Sequence, residues 1–169
     1  MTPQLFGLLS DTHGYVHPAL FGAFEGVQTI LHAGDVCGDH VLQELECIAP
    51  VQAVRGNCDA PDPLLPEIRR VELPGGIAIL THGHLQDGAT TDPVRFVRAF
   101  AANRPRLILF GHSHRWFCEQ LEGIWVVNPG AAGRPRFMDK PSAAVLVCEA
   151  DRWRIRRVDL PWPPVEVRR

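Results

Sequence analysis

Five short polar fragments carry residue types suited to chemistry: Asp11-Thr12-His13, Gly34-Asp35, Gly56-Asn57-Cys58-Asp59, Thr81-His82-Gly83-His84 and Gly111-His112-Ser113-His114. Carboxylate, imidazole and amide donors are what a pair of divalent ions such as Mn, Fe, Zn or Ni takes, without need of thiolate. In Asp-x-His, two residues separated by one project to the same side of an extended segment, so both reach one ion. His112 and His114 have the same spacing and reach different ions if they lean apart. A glycine before Asp35, Asn57 and His112 relieves crowding where backbone turns sharply towards an ion. Two divalent ions bring four positive charges. Asp11, Asp35 and a bridging hydroxide remove three, and the remaining charge favours a phosphate anion. Two ions about 3.5–4 Å apart also clamp an in-line displacement.

Each fragment has a blander reading. An Asp after a strand caps helices and turns, Gly-Asp and Gly-Asn are common turn pairs, and His-x-His pairs occur on exposed strands. Their joint order is the stronger signal, because each follows an apolar run.

Those runs are the elements that must position them. Leu5–Leu9, Thr29–Leu31, Val51–Val54 and Leu107–Phe110 read as strands ending at Asp11, Asp35, Asn57 and His112. A hairpin over 71–80, with a Pro-Gly-Gly turn, ends at His82. Helices are expected over Pro18–Phe24, after an Asp39 N-cap with Val41, Leu42, Leu45 and Ile48 on one face, and after Asp92-Pro93 with Val94, Phe96, Val97 and Phe100. Further strands are expected near 117–121, 124–127, 143–148 and 153–158. Early β-α-β alternation and a strand-rich second half imply an α/β fold of two sheets with helices outside. In open α/β sheets, ligands bind beyond the carboxyl ends of strands. One domain over 1–160 is expected, with a Pro-rich tail over 161–169.

Bulk properties narrow the function. A net charge of −2 supplies no basic field for nucleic acid or an anionic membrane, and no apolar run is long enough to span a bilayer. The five cysteines form no C-x-x-C pair and no signal peptide is read, so a cytoplasmic setting is expected. His17 and His40 read as surface or capping residues, and His32 as a second layer of the site or a structural histidine. Arg152, Arg154, Arg156 and Arg157 alternate with Trp153 and Ile155 as the solvated face of a strand. Trp116, Trp125 and Trp162 read as core or interface.

The fragments resemble the calcineurin-like metallophosphoesterase superfamily, whose signature runs D-x-H, G-D, G-N-H-D, H and G-H-x-H. Asn128-Pro129-Gly130-Ala131 and Arg134-Pro135-Arg136 resemble the late loop of its small bacterial and archaeal branch, which also gave rise to the retromer subunit Vps29. The resemblance implies a four-layer α-β-β-α sandwich with two mixed β-sheets. It implies one metal on Asp11, His13, Asp35 and His114, and a second on Asp35, Asn57, His82 and His112. Mn²⁺ is the usual ion of the branch, with Fe, Ni and Zn as alternatives. The implied activity is hydrolysis of a small phosphodiester or phosphomonoester by in-line attack of a metal-bridging hydroxide, with Asn57 and His84 stabilising charge.

One departure concerns the leaving group. In larger members a His, oriented by the following Asp, protonates the leaving group. The resemblance makes Cys58 and Asp59 the catalytic residues at these positions, and a thiol with a pKa near 8.5 is the poorer general acid. Aryl phosphodiesters are therefore expected to turn over faster than alkyl ones. Rival readings are a Vps29-type interaction scaffold, a nuclease and a thiol enzyme centred on Cys58. Substrate identity, with Arg115 and Arg134 as candidate contacts and loops 37–40, 60–67, 85–91 and 134–140 as candidate specificity elements, is left open, as is a homo-oligomer.

Overall fold

A computed structural model describes residues 2–134, 140–149 and 152–162. The first sheet runs β10-β9-β1-β2-β3, with β1 (Gln4–Leu9), β2 (Thr29–His32), β3 (Val51–Ala53), β9 (Ser142–Glu149) and β10 (Arg152–Asp159). The second runs β4-β5-β6-β8-β7, with β4 (Ile68–Leu73), β5 (Gly76–Thr81), β6 (Leu107–Leu109), β7 (Trp116–Leu121) and β8 (Ile124–Pro129). Both are mixed: β1, β2 and β3 are parallel, as are β5, β6 and β8, while hairpin partners flank them.

Period-2 alternation places the layers. Phe6 and Leu8 of β1 face a core shared with Leu80, Leu107, Leu109 and Val127 of the second sheet. Leu9 faces the other way, against Leu20 and Phe24 beside α1 (Ala19–Ala23) and Val41 and Leu45 of α2 (Asp39–Glu46). Ile79, Ile108 and Val126 of the second sheet meet Phe96, Val97 and Phe100 of α3 (Val94–Phe100). The order is therefore helices, sheet, sheet, helix, the expected four-layer sandwich.

Local boundaries differ from expectation by a residue or more. Gly38, not Asp39, is the N-cap of α2, and its φ of 140° is open to glycine. Pro93 sits at the N-cap of α3, and Asp92 contributes its carbonyl to Arg95 N–H at 3.0 Å. β4 starts three residues before Val71, and its turn consists of Pro74 and Gly75, with Gly75 at φ 84°. β10 is an edge strand whose arginines are exposed while Trp153 is buried, so charge guards that edge.

Trp116 and Trp125 pack against the inter-sheet core. Trp162 is 53% exposed, which takes it out of the core, whereas Leu160 two residues earlier is buried in it. His17 is not a surface residue. It is buried, accepts the Ala19 N–H at Nδ1 over 3.1 Å, and lies 2.7 Å from the Pro161 carbonyl through Nε2, so the capping role holds and the exposure does not. Residues 135–139 and 163–169, which include Pro135-Arg136 and most of the expected tail, lie outside the described residues.

Candidate metal centre

The five fragments meet at the carboxyl ends of the two parallel strand triplets. Backbone bonds lace them together: Asp11 N–H to Gly34 O at 3.0 Å, His13 N–H to Asp35 O at 3.0 Å, and Gly111 N–H to His82 O at 3.2 Å. The two sheets are joined where His112 N–H donates to Asp11 Oδ2 at 3.2 Å.

Backbone conformation corrects the extended Asp-x-His expectation. Asp11 and His13 have φ of 56° and 48°, and Asp35, Cys37, His112 and His114 are also left-handed. A non-glycine residue is seldom found there, and such strain collects at functional sites. The chain thus presents Asp11 and His13 from a tight turn, and their side chains still converge. Among the described residues, Arg104 and Glu122 are the other non-glycine residues with positive φ. Close approach explains two of the glycines: a Cβ on Gly56 would collide with the Asp35 carboxylate, and one on Gly111 with Ser10 Oγ.

One group of donors gathers around Asp11. Its Oδ1 lies 3.3 Å from His114 Nε2 and 3.9 Å from His13 Nε2, and these two nitrogens are 3.2 Å apart. A second group gathers around His82 Nε2, 3.4 Å from Asp35 Oδ1 and 3.2 Å from Asn57 Oδ1, with His112 Nδ1 2.8 Å from the same Asn57 oxygen. Asp35 faces both groups, with Oδ1 towards His82 and Oδ2 3.7 Å from His13 Nε2. His112 and His114 lean apart, one to each group. Donors about 2.0–2.2 Å from one ion stand about 3 Å from their neighbours, which is the spacing within each group.

The polar bookkeeping also fits cations. Asp11 is fully buried and its Oδ1 accepts no hydrogen bond among the described residues. Burial drives its pKa up to about 7, against the pull of His82. His82 Nδ1 lies 2.8 Å from the Ala33 carbonyl and must donate to it, so the Nε2 lone pair of the neutral ring faces the oxygens of Asp35 and Asn57. Three acceptors around one point require a proton or a metal ion. Burial pushes the His82 pKa down, but Asp35 and Asp11 outweigh it and raise it overall. For Asp35, burial is likewise outweighed, here by His82 and the Cys58 N–H, and its pKa falls well below the carboxylate range. A backbone carbonyl holding the far nitrogen is the common way to orient a metal-binding histidine.

The remaining expected site residues divide. Asn57 and Cys58 are exposed at the rim, with Asn57 Nδ2 donating to Cys58 Sγ at 3.4 Å. His84 stands 5.4 Å from His82 and 6.4 Å from His112, ring centre to ring centre. Burial and then His82 lower its pKa, which keeps the ring neutral at physiological pH. Asp59 does not reach towards the centre. Its carboxylate accepts the N–H groups of Gly56, Val36 and Cys37, at 2.8, 3.2 and 2.7 Å, and so ties the Asp35 loop to the Asn57 loop.

Three supports escaped the reading of the sequence or were left open by it. Gly34 N–H donates to His32 Nδ1 at 3.1 Å, so His32 Nε2–H donates to Thr12 Oγ1 at 3.0 Å, and that hydroxyl donates to Val36 O at 3.2 Å. Burial lowers the His32 pKa to about 4, so the relay is neutral. Asn128 donates to Gly111 O at 2.9 Å and Ser113 Oγ at 3.0 Å, bracing the His112 loop. Cys37 Sγ lies 3.7 Å from His13 Nδ1, and burial together with Asp59 and Asp35 raises its thiol pKa to about 12. Asp35-x-Cys37, a donor pair at the spacing of Asp-x-His, was its signal in the sequence.

Known proteins resemble this chain in sequence and fold. Residues 5–151 match the calcineurin-like phosphoesterase superfamily domain. A probable metallophosphoesterase of Methanothermobacter thermautotrophicus is 34% identical over 155 residues, 88% of each chain. A phosphodiesterase of Methanocaldococcus jannaschii is 26% identical over 143 residues, covering 73% of this chain and 81% of its own. A single-site variant of Vps29 from Entamoeba histolytica superposes with a TM-score of 0.77 at 20% identity, over 94% of this chain and 100% of its own, a likeness of fold. With its residues 5–151 matched to the family model, the chain belongs to the calcineurin-like phosphoesterase superfamily.

Proposed function

We propose that the protein is a dinuclear metal-dependent phosphodiesterase acting on a small phosphodiester. The observation that carries this reading is the split of donors into two groups that share Asp35, whose two carboxylate oxygens face opposite groups. Asp11, His13, Asp35 and His114 would hold one ion, and Asp35, Asn57, His82 and His112 the other. Bound there, the ions supply Lewis acidity, positive charge for the phosphoryl oxygens and an acidified water.

The chain's own residues do the rest. The His32–Thr12 relay and Asp59 hold the Asp35 loop in place, and the Ala33 carbonyl fixes the tautomer of His82. The neutral His84 ring at the rim, with Asn57, offers hydrogen bonds to a non-bridging oxygen. On the leaving-group side Cys58 presents a thiol where an imidazolium would be the stronger acid, so esters with good leaving groups are favoured. Mn²⁺ is the first ion to test, followed by Fe, Ni and Zn. The cysteine usage supports a cytoplasmic setting. Residues 1–160 are taken as one domain, because strands from both ends of that span pair in one sheet.

A scaffold of the Vps29 kind has the same fold as its support. Convergence of all seven candidate ligands favours the enzyme. A metal-supplemented screen of phosphomonoesters, phosphodiesters and cyclic nucleotides separates the two. Turnover of an aryl phosphodiester that needs a divalent ion and disappears in Asp35→Ala is expected. No turnover with any ion would leave the scaffold.

A further inference from the structure

Cys58 has a geometry that the phosphodiesterase reading leaves unused. Although exposed, its Sγ stands in a cluster with one donor atom each of His13 and Asp35, all within 4.8 Å of one another. Two contacts hold Cys58 beside the centre. Cys58 N–H donates to Asp35 Oδ1 at 2.8 Å, which anchors the residue against the carboxylate shared by both donor groups. The thiol donates to that carboxylate, and Asn57 Nδ2 donates to the sulfur at 3.4 Å. Neighbouring sulfur and nitrogen donors on one tetrahedral ion stand about 3.6 Å apart, given roughly 2.3 Å for sulfur and 2.1 Å for nitrogen. Rotation of an exposed side chain closes the remaining gap.

We propose that Cys58 is a metal ligand for thiophilic divalent ions, completing a His13–Asp35–Cys58 face on the first ion. The inference rests on the two-ion reading above and adds a ligand to it. Coordination forms a sulfur–metal bond as the S–H bond breaks, and the proton passes to solvent with no change of oxidation state. Softness decides which ions recruit the sulfur: Zn²⁺, Co²⁺ and Cd²⁺ take thiolate, whereas Mn²⁺ and Mg²⁺ keep to oxygen and nitrogen donors. The choice of ion then sets the state of the leaving-group side. With Mn²⁺ the residue remains a protonated thiol. With Zn²⁺ it is a bound thiolate, which has no proton to give and fills a position that water or phosphate would use.

Co²⁺ titrated into the metal-free protein reads the sulfur directly, while ion stoichiometry is followed by calorimetry. A sulfur-to-cobalt charge-transfer band is expected in the near ultraviolet. Cys58→Ser should lose the band with Co²⁺ still bound, and Cys37→Ser should keep it. Two bound Co²⁺ ions without the band, or a band lost in Cys37→Ser alone, would overturn the proposal and leave the two-ion reading intact. Failure to bind any Co²⁺ would sink both. The unmutated chain gives an independent check through iodoacetamide labelling of Cys58, followed by peptide mass spectrometry. Zn²⁺ should slow labelling at least about tenfold, the lower end of what a lost metal partner costs in affinity, and Mn²⁺ should not. Equal labelling with Zn²⁺ and without metal would overturn it.

Discussion

The two flanks of the site are built differently. Asp11, Asp35, His82 and His114 lie almost wholly out of solvent, and all but His82 are held in left-handed conformations. Asn57 and Cys58 are exposed, and His84 and His112 half-buried, on the side that substrate must enter. Burial makes the inner flank unforgiving. A buried carboxylate without a partner is costly, and His82 is tied to the Ala33 carbonyl and Asp35 to the Cys58 N–H. The outer flank carries Cys58, where the resemblance to larger members leads one to expect His. On the proposed reading the inner flank supplies most of the ion ligands, Asn57 and His112 complete the second set from the outer flank, and Cys58 at the rim bears on the choice of ester and ion.

The sharpest contrast is expected from Asp35→Ala. It should lower kcat/KM for an aryl phosphodiester at least about a thousandfold, given the several kcal/mol that bound ions contribute, and remove most bound metal. A variant retaining both ions and rate would erase the distinction between the flanks.

Acidity probes the second layer. His32 is depressed to about 4 in the folded chain from an unfolded value near 6.5. Below about pH 6.5 the unfolded chain takes up a proton that the folded chain refuses, so stability is intact above that pH and is lost between about 6.5 and 4. The full span is worth about 3 kcal/mol. Denaturant unfolding of the metal-free protein should show this loss, and His32→Gln should flatten the slope. Equal slopes would remove the buried neutral relay from the account.

Gly56→Ala tests close approach at the border of the flanks. Its Cβ meets the Asp35 carboxylate, and displacing that group by about 1 Å should cost roughly a hundredfold in kcat/KM. Unchanged kinetics would mean the loop relaxes without moving Asp35.

The mildest change is expected on the outer flank. Cys58→His should raise the Mn²⁺-dependent rate on an alkyl phosphodiester about tenfold, below the range of an optimised general acid, and leave the aryl rate nearly unchanged. An alkyl rate that does not move would dissociate Cys58 from leaving-group assistance.

The inner flank was legible in the sequence because parallel strands dictate it. Apolar runs such as Leu5–Leu9 locate strand ends, and a donor placed just after each run converges with the others. How the donors converge was not legible. Asp-x-His suggested an extended segment, whereas the inter-loop bonds to Gly34 and Asp35 carbonyls hold Asp11 and His13 in left-handed turns. Asp59 shows the same limit: its position beside Cys58 suggested a catalytic partner, but its carboxylate satisfies three backbone N–H groups. Long-range pairings such as Asn128 with Gly111 have no local pattern at all. Helix starts slipped by a residue, because Gly38 and Pro93 took positions that side-chain capping would have given to Asp39 and Asp92.

The central claim, two ions sharing Asp35, is tested most directly by anomalous diffraction from crystals soaked in Mn²⁺. Two manganese peaks about 3.5–4 Å apart are expected flanking the Asp35 carboxylate, one against Asp11, His13 and His114 and the other against Asn57, His82 and His112. A single peak, or peaks away from Asp35, would contradict it.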